Sequence, residues 1–189
     1  MIAVSMKYTI DIEGLKRDLP LCKINDELYI GAFIMFGDVE LTKKCAEELL
    51  KRAPEHDIMI TSEAKGIPLI YEMARQEGHN DYIVARKGPK LYMQDVITTD
   101  VDSITTDHRQ ILCLGKEEVE LMKGRRVLIV DDVISTGESV SAIENLVRSA
   151  GGNIVGKMAV LAEGDAANRD DIIYVAPLPL FNADGTIKE

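Results

Sequence analysis

Thirteen consecutive residues hold the densest chemistry in the chain. Positions 127–139 read Val-Leu-Ile-Val-Asp-Asp-Val-Ile-Ser-Thr-Gly-Glu-Ser. Four apolar residues lead to an acidic pair, Asp131 and Asp132, placed where a buried strand should emerge. Two more apolar residues follow, and then a small hydroxylated turn. A helix is expected over Ser139–Arg148, so Ser135, Thr136, Gly137 and Ser139 present hydroxyls and backbone N–H groups at its start. An anion there meets unpaired donors and the positive end of a helix dipole. The acidic pair and the turn together have the build of a sugar-phosphate site.

Two further clusters carry charge. Ser62-Glu63-Ala64-Lys65-Gly66 follows the apolar run Ile58-Met59-Ile60, and Arg86, Lys87 and Lys90 crowd into five positions. Against a net charge of −10 such a basic cluster concentrates positive potential locally.

These residues need a frame, and the periodicity predicts one. Leu28–Ile34 reads as a strand. Asp38–Arg52 reads as a helix capped by Asp38, with Leu41, Cys45 and Leu49 on one face and Pro54 beyond its end. His56–Thr61 is the next strand, Ile67–Gln76 a helix ending at Gly78, and Tyr82–Ala85 a third strand. After the helix from Ser139, Gly151-Gly152 marks a stop, and Asn153–Leu161 and Ile172–Val175 read as strands. Pro177–Glu189 is expected to be irregular.

Alternation of this kind predicts an α/β fold: an open, mostly parallel twisted sheet with helices on both faces. Ligands of such sheets sit at the carboxyl ends of the strands, and all three charged clusters follow strands. Between Lys90 and Leu114 the pattern changes to threonine, aspartate and β-branched residues, which reads as an extended hairpin or mobile flap.

Composition bounds the rest. The 189 residues, 46% hydrophobic and 29% charged, fit one domain over 1–189. No apolar stretch approaches the ~20 residues of a membrane helix. The opening Met-Ile-Ala-Val-Ser-Met-Lys lacks a secretory pattern, which places the chain in the cytoplasm. Cys22, Cys45 and Cys113 have no metal-ligand spacing and are expected in the core. The acidic balance argues against nucleic acid as a partner.

The 127–139 segment resembles the phosphoribosyl-pyrophosphate (PRPP) signature of type I phosphoribosyltransferases. The loop Glu63-Ala64-Lys65-Gly66 is similar to the Glu-Ala-Arg-Gly loop of adenine phosphoribosyltransferases, with Lys65 in place of Arg. Arg86-Lys87-Gly88-Pro89-Lys90 resembles the Arg-Lys-x-x-Lys stretch of adenine and xanthine enzymes. The three occur in the family's order, and the likeness runs from about Leu28 to Leu161.

That resemblance implies roles. Asp131 and Asp132 would fix the ribose hydroxyls and steady positive charge at C1, with an indirect part in holding Mg2+. Ser135, Thr136, Gly137, Glu138 and Ser139 would cradle the 5′-phosphate. Glu63, Ala64, Lys65, Gly66, Arg86, Lys87 and Lys90 would meet pyrophosphate, and in related enzymes the first of these loops carries a non-proline cis peptide.

Residues 91–114 would form the flap, and about 1–27 and 165–189 the hood that holds the base. The implied activity is transfer of the phosphoribosyl group of PRPP to a purine, adenine favoured, by a homodimer in purine salvage. Xanthine, hypoxanthine, guanine or orotate are the alternatives in the same class. A PRPP-sensing regulator of the same fold is the alternative in another. Two departures stand out: Glu138 replaces a usual Gly, and the flap has Tyr92 but only aspartates, Asp95, Asp100, Asp102 and Asp107, before His108.

Overall fold

A computed structural model describes residues 6–101 and 110–188. Its centre is a five-stranded sheet built from β4 (Ile58–Ser62), β5 (Ile83–Ala85), β8 (Arg126–Ile134), β9 (Asn153–Glu163) and β10 (Ile173–Leu178). The strand order is β10-β9-β8-β4-β5, and every pairing is parallel. Helices α1 (Val39–Leu50), α2 (Ile67–Glu77), α3 (Lys116–Met122) and α4 (Glu138–Ser149) connect and cover it.

The unbroken apolar run of β8 follows from this layering. Val127 and Ile129 pack into a cluster with Val140, Ile143 and Leu146 of α4. Leu128 and Val130 point the other way, among Leu41 and Leu49 of α1 and Leu69 and Met73 of α2. Successive strand side chains face opposite sides, so a strand covered on both sides must be apolar at every position. Cutting Leu128 or Ile129 back to Ala is expected to cost about 2–5 kcal/mol.

A second, antiparallel sheet lies at the chain ends. It holds β1 (Lys7–Ile12), β2 (Leu15–Lys23), β3 (Tyr29–Gly31) and β11 (Leu180–Phe181), in that order. Arg17 of β2 ties this sheet to α1, donating to Asp38 at 2.6 and 3.1 Å. Asp38 also caps α1 by accepting from the Leu41 N–H at 3.0 Å, and the Arg17 guanidinium holds its carboxyl below the ordinary range. The reading of 38–52 as a helix capped by Asp38 therefore stands, with the helix ending at Leu50.

Several expectations need correction. The strand at 28–34 shrinks to Tyr29–Gly31. The tail is not irregular, because β10 reaches Leu178 and Phe181 pairs back onto Tyr29. Pro177 is tolerated because β10 is an edge strand, where no ladder donor is missed. Cys22 is exposed while Cys45 and Cys113 are buried. Leu19 and Leu21 take the inward positions of β2, so period-2 alternation turns Cys22 outward.

The 91–114 segment does form an antiparallel hairpin, β6 (Ile97–Val101) against β7 (Gln110–Leu114). Its second strand is no loose cover, since Leu112, Cys113 and Leu114 are buried in the core. Asp102, Asp107 and His108 lie outside the described residues. Helix α3 was not legible. It is short and its N-cap is Gly115, whose N–H donates to Glu118 Oε2 at 3.0 Å.

Candidate active site

In the sheet, β4 leads outward to β5, whereas β8 leads the opposite way to β9. The loops after β4 and β8 therefore diverge, leaving a crevice at a topological switch point. All three charged clusters come to this crevice. A cavity of about 160 Å³ is lined by Ser62, Glu63, Ala64, Lys65, Lys87, Leu112, Asp131, Asp132, Val133 and Ser139. A second, of about 230 Å³, is lined by Asp131 and by residues 133–140. The two share Asp131, Val133 and Ser139, so they adjoin across the acidic pair.

The pair sits inside β8, which continues to Ile134, rather than just beyond it as the sequence led us to expect. Asp131 registers against Ala159 and Ile134 against Ala162. Backbone pairing on either side thus fixes where both residues sit. Asp131 is 6% exposed and Asp132 3%. Asp132 accepts from Lys65 Nζ at 2.8 Å, and its own N–H donates to Asp131 Oδ1 at 3.0 Å. Burial, and then the charge of Asp132, push the Asp131 carboxyl well above the usual range, with Lys65 acting weakly the other way. The strand presents concentrated negative potential that a cationic centre would relieve.

The turn after β8 is built on a glycine. Gly137 has φ +86°, a left-handed conformation that favours glycine, and it caps α4 with no side-chain cap bond. The first-turn N–H groups of α4 therefore face the cavity without a capping side chain. Ser135, Thr136 and Ser139 are exposed around it, and Glu138 is the first residue of α4, half-buried.

Sequence reasoning missed Arg169. A Cβ on Gly137 would lie 2.6 Å from its Nη1, so the guanidinium stands against the turn. Asp171 holds it through Nε and Nη2, both at 2.9 Å. No local signal marks this residue, because it reaches the turn only through the path of β9 and the 3₁₀ turn Gly164–Asn168.

The loop after β4 is the charged wall. The Glu63–Ala64 peptide is cis. Gly66 is required by contact: a Cβ there would fall 2.1 Å from Thr61 Oγ1 and 3.3 Å from Asp131 Oδ1. Thr61 was also missed. It is fully buried, and its hydroxyl has no hydrogen-bond partner among the described residues.

Glu63 is placed as a brace. Its carboxylate accepts from the Lys87 N–H at 2.9 Å and pairs with Arg86 at 3.3 Å. The Lys87 N–H foremost, with Arg86 behind it, holds the Glu63 carboxyl below its usual range. Arg86 also donates to the Tyr92 hydroxyl at 2.9 Å, and the charge of Lys90 acts on Glu63 too. Lys65 and Lys87 are thus the cations that line the cavity, with Arg86 turned towards Glu63. Glu163, at the end of β9, is a further carboxyl pushed up by burial and opposed by Lys65.

Comparison with known proteins agrees with this geometry. The phosphoribosyl transferase domain family matches residues 39–179. The chain is 35% identical over 154 residues to a xanthine phosphoribosyltransferase of Lactobacillus acidophilus, covering 80% of this chain and 79% of that one. It is 30% identical over 129 residues to an adenine phosphoribosyltransferase of Rhodococcus jostii, covering 67% and 69%. The crystal structure of adenine phosphoribosyltransferase from Thermoanaerobacter pseudethanolicus shares the fold, with a TM-score of 0.65 at 21% identity over 91% of this chain and 95% of that one. The chain belongs to the type I phosphoribosyltransferase family, close to the purine phosphoribosyltransferases, and is an enzyme of pentosyl transfer.

Proposed function

We propose that this enzyme transfers the 5-phosphoribosyl group of PRPP to a purine base in salvage, releasing pyrophosphate and a nucleoside 5′-monophosphate. One observation carries the reading: a cavity walled by Lys65 and Lys87 and a glycine turn ringed by hydroxyls adjoin across a buried carboxylate pair. A ribose carrying phosphate groups at both ends spans these two pockets with its sugar over Asp131 and Asp132.

The chemistry follows from that pose. The C1–O bond to pyrophosphate breaks with its electrons leaving on oxygen, and a base nitrogen closes on C1 and then loses its proton. C1 carries positive character in between, as in other glycosyl transfers. Asp131 and Asp132 oppose that charge and hold the ribose hydroxyls, an electrostatic and positional role. Lys65 and Lys87 offset the leaving charge. The Ser135–Ser139 turn and Arg169 anchor the 5′-phosphate. The hydroxyl of Thr61, buried beside Asp131, is poised to donate within the crevice.

Mg2+ fits this donor set, because two buried, mutually repelling carboxylates favour a hard cation with oxygen ligands. Asp131 and Asp132 would hold it, and it would neutralise pyrophosphate oxygens.

Adenine is the base that the Glu63–Gly66 loop favours. Xanthine is the second reading, favoured by the 35% identity to a xanthine enzyme. PRPP and Mg2+ with adenine, xanthine, hypoxanthine, guanine or orotate in separate reactions would rank the bases by pyrophosphate release. We expect the highest kcat/KM with adenine. A larger value with xanthine would move the assignment to the 6-oxopurines, and release with none would overturn the reading. Val39, Tyr71 and Pro68 line an apolar groove between α1 and α2 that suits a homodimer contact. A V39D variant eluting as a monomer beside a dimeric parent would support it.

A further inference from the structure

At the other end of β4 from the crevice, His56, Glu77 and His79 bring three ligand atoms within 4.8 Å of one another. We propose that they bind one divalent cation of the zinc class. None of the three takes part in the transfer chemistry.

The geometry is close to what such an ion needs. His56 Nε2 lies 3.1 Å and His79 Nδ1 3.6 Å from the same Glu77 oxygen, Oε2. A tetrahedral zinc with ligands at ~2.0–2.1 Å sets its ligands about 3.4 Å apart. His56 is also oriented as metal-bound histidines are. Its Nδ1 lies 2.9 Å from the Pro54 carbonyl oxygen and its Nε2 3.1 Å from a Glu77 carboxylate oxygen, both acceptors. A neutral ring has one N–H, so one of its nitrogens faces an acceptor as a lone pair. That contact calls for a cation between them, either a second proton or a metal.

The fold holds all three residues in place. The His56 side chain is 3% exposed just ahead of β4. Glu77 is the last residue of α2, and Gly78 follows at φ +75°. The His79 N–H donates to the Ala74 carbonyl at 2.9 Å and the Gly78 N–H to Arg75 at 3.3 Å, which together close the helix in a Schellman motif. The carbonyl end of a helix favours positive charge, so the backbone adds to the attraction. Three protein ligands leave one position for water, the form of an open zinc site. Bound there, the ion would clamp the start of β4 to the end of α2.

The test uses metal-stripped full-length protein titrated with Zn2+ alone by calorimetry, followed through its imidazole NMR signals. We expect one equivalent that persists in the D131N/D132N double variant and shifts the rings of two of the chain's three histidines. His79 is exposed, so H79A should keep the far-UV circular dichroism of the parent while losing at least about tenfold in Zn2+ affinity. Zn2+ at a concentration that just saturates the parent should raise its melting temperature and raise that of H79A distinctly less. C22S, H108A and the D131N/D132N double variant should all keep the site. Equal Zn2+ affinity in H79A, loss of binding in any of those three controls, or no stoichiometric binding would overturn the proposal and leave a shared proton as the cation.

Discussion

The loop after β4 and the turn after β8 face one crevice, and they are built by different means. The β4 loop works through side-chain charge. Lys65 and Lys87 line the cavity, and Glu63 braces the basic stretch that follows β5. The β8 turn works through backbone. Gly137 opens the first turn of α4, hydroxyls ring it, and a lone guanidinium, Arg169, stands beside it. Under the proposed function the difference would suit the two ends of PRPP: a departing pyrophosphate needs its growing charge offset, whereas a 5′-phosphate needs only to be held still. Asp131 and Asp132 lie between, where neither wall neutralises them fully.

The largest effect should come from that shared border. Replacing Asp131 and Asp132 together with Asn is expected to lower kcat/KM by about 10³ or more and to abolish the rise in melting temperature caused by PRPP. Unchanged PRPP stabilisation would mean that the pair does not touch the sugar.

Asp131 alone gives a pH signature. A carboxyl whose folded value is raised supports folding below its ordinary 3.8, and that support is lost as pH climbs through the raised folded value. The melting temperature should therefore fall between about pH 4 and about pH 8 in the parent, and fall less steeply in D131N. Parallel curves would show that Asp131 does not carry the cost.

Glycine substitutions separate the two walls. G66A drives a methyl into buried Thr61, 2.1 Å away, and should cost about 10² in kcat/KM, read in steady-state kinetics. G137A meets only the tip of a flexible guanidinium, so its cost is the left-handed backbone, about 1–2 kcal/mol, seen in thermal unfolding. A G137A defect as large as that of G66A would mean that the turn is as tightly built as the loop.

Salt should sharpen the contrast further. Inhibition by pyrophosphate is expected to weaken several-fold between about 0.05 and 0.5 M salt, and inhibition by ribose 5-phosphate less so, because exposed lysines are screened more than backbone donors. Equal slopes would show that both walls act through charge. The smallest change is E138G, which removes an anion from the start of α4. It should tighten PRPP by no more than about twofold while costing about 0.3–1 kcal/mol of stability, measured by substrate titration and thermal melting.

What could be read from sequence was local. The run Val127–Val130, the acidic pair, the small residues of the turn and the cap at Asp38 are each set by neighbours a few positions away, and periodicity reports them. The sheet order was not readable, nor the extension of β8 through Asp131 and Asp132, since cross-strand pairing with β9 decides where a strand stops. Glu63 illustrates the limit: its loop was recognised, but its duty as a brace depends on Arg86 and Lys87, brought beside it by the pairing of β4 with β5.

By itself the sequence determined an alternating α/β chain with charged or hydroxylated loops after three of its strands, because strand and helix periods and turn composition are short-range properties. Only the tertiary structure decided that those loops share one crevice, that Arg169 and Thr61 join it, and that His56 meets Glu77 and His79 at the far end of the same strand. Each of these is a contact between residues far apart in the chain or on different elements, and parallel pairing with helical crossovers creates such contacts without leaving a local trace.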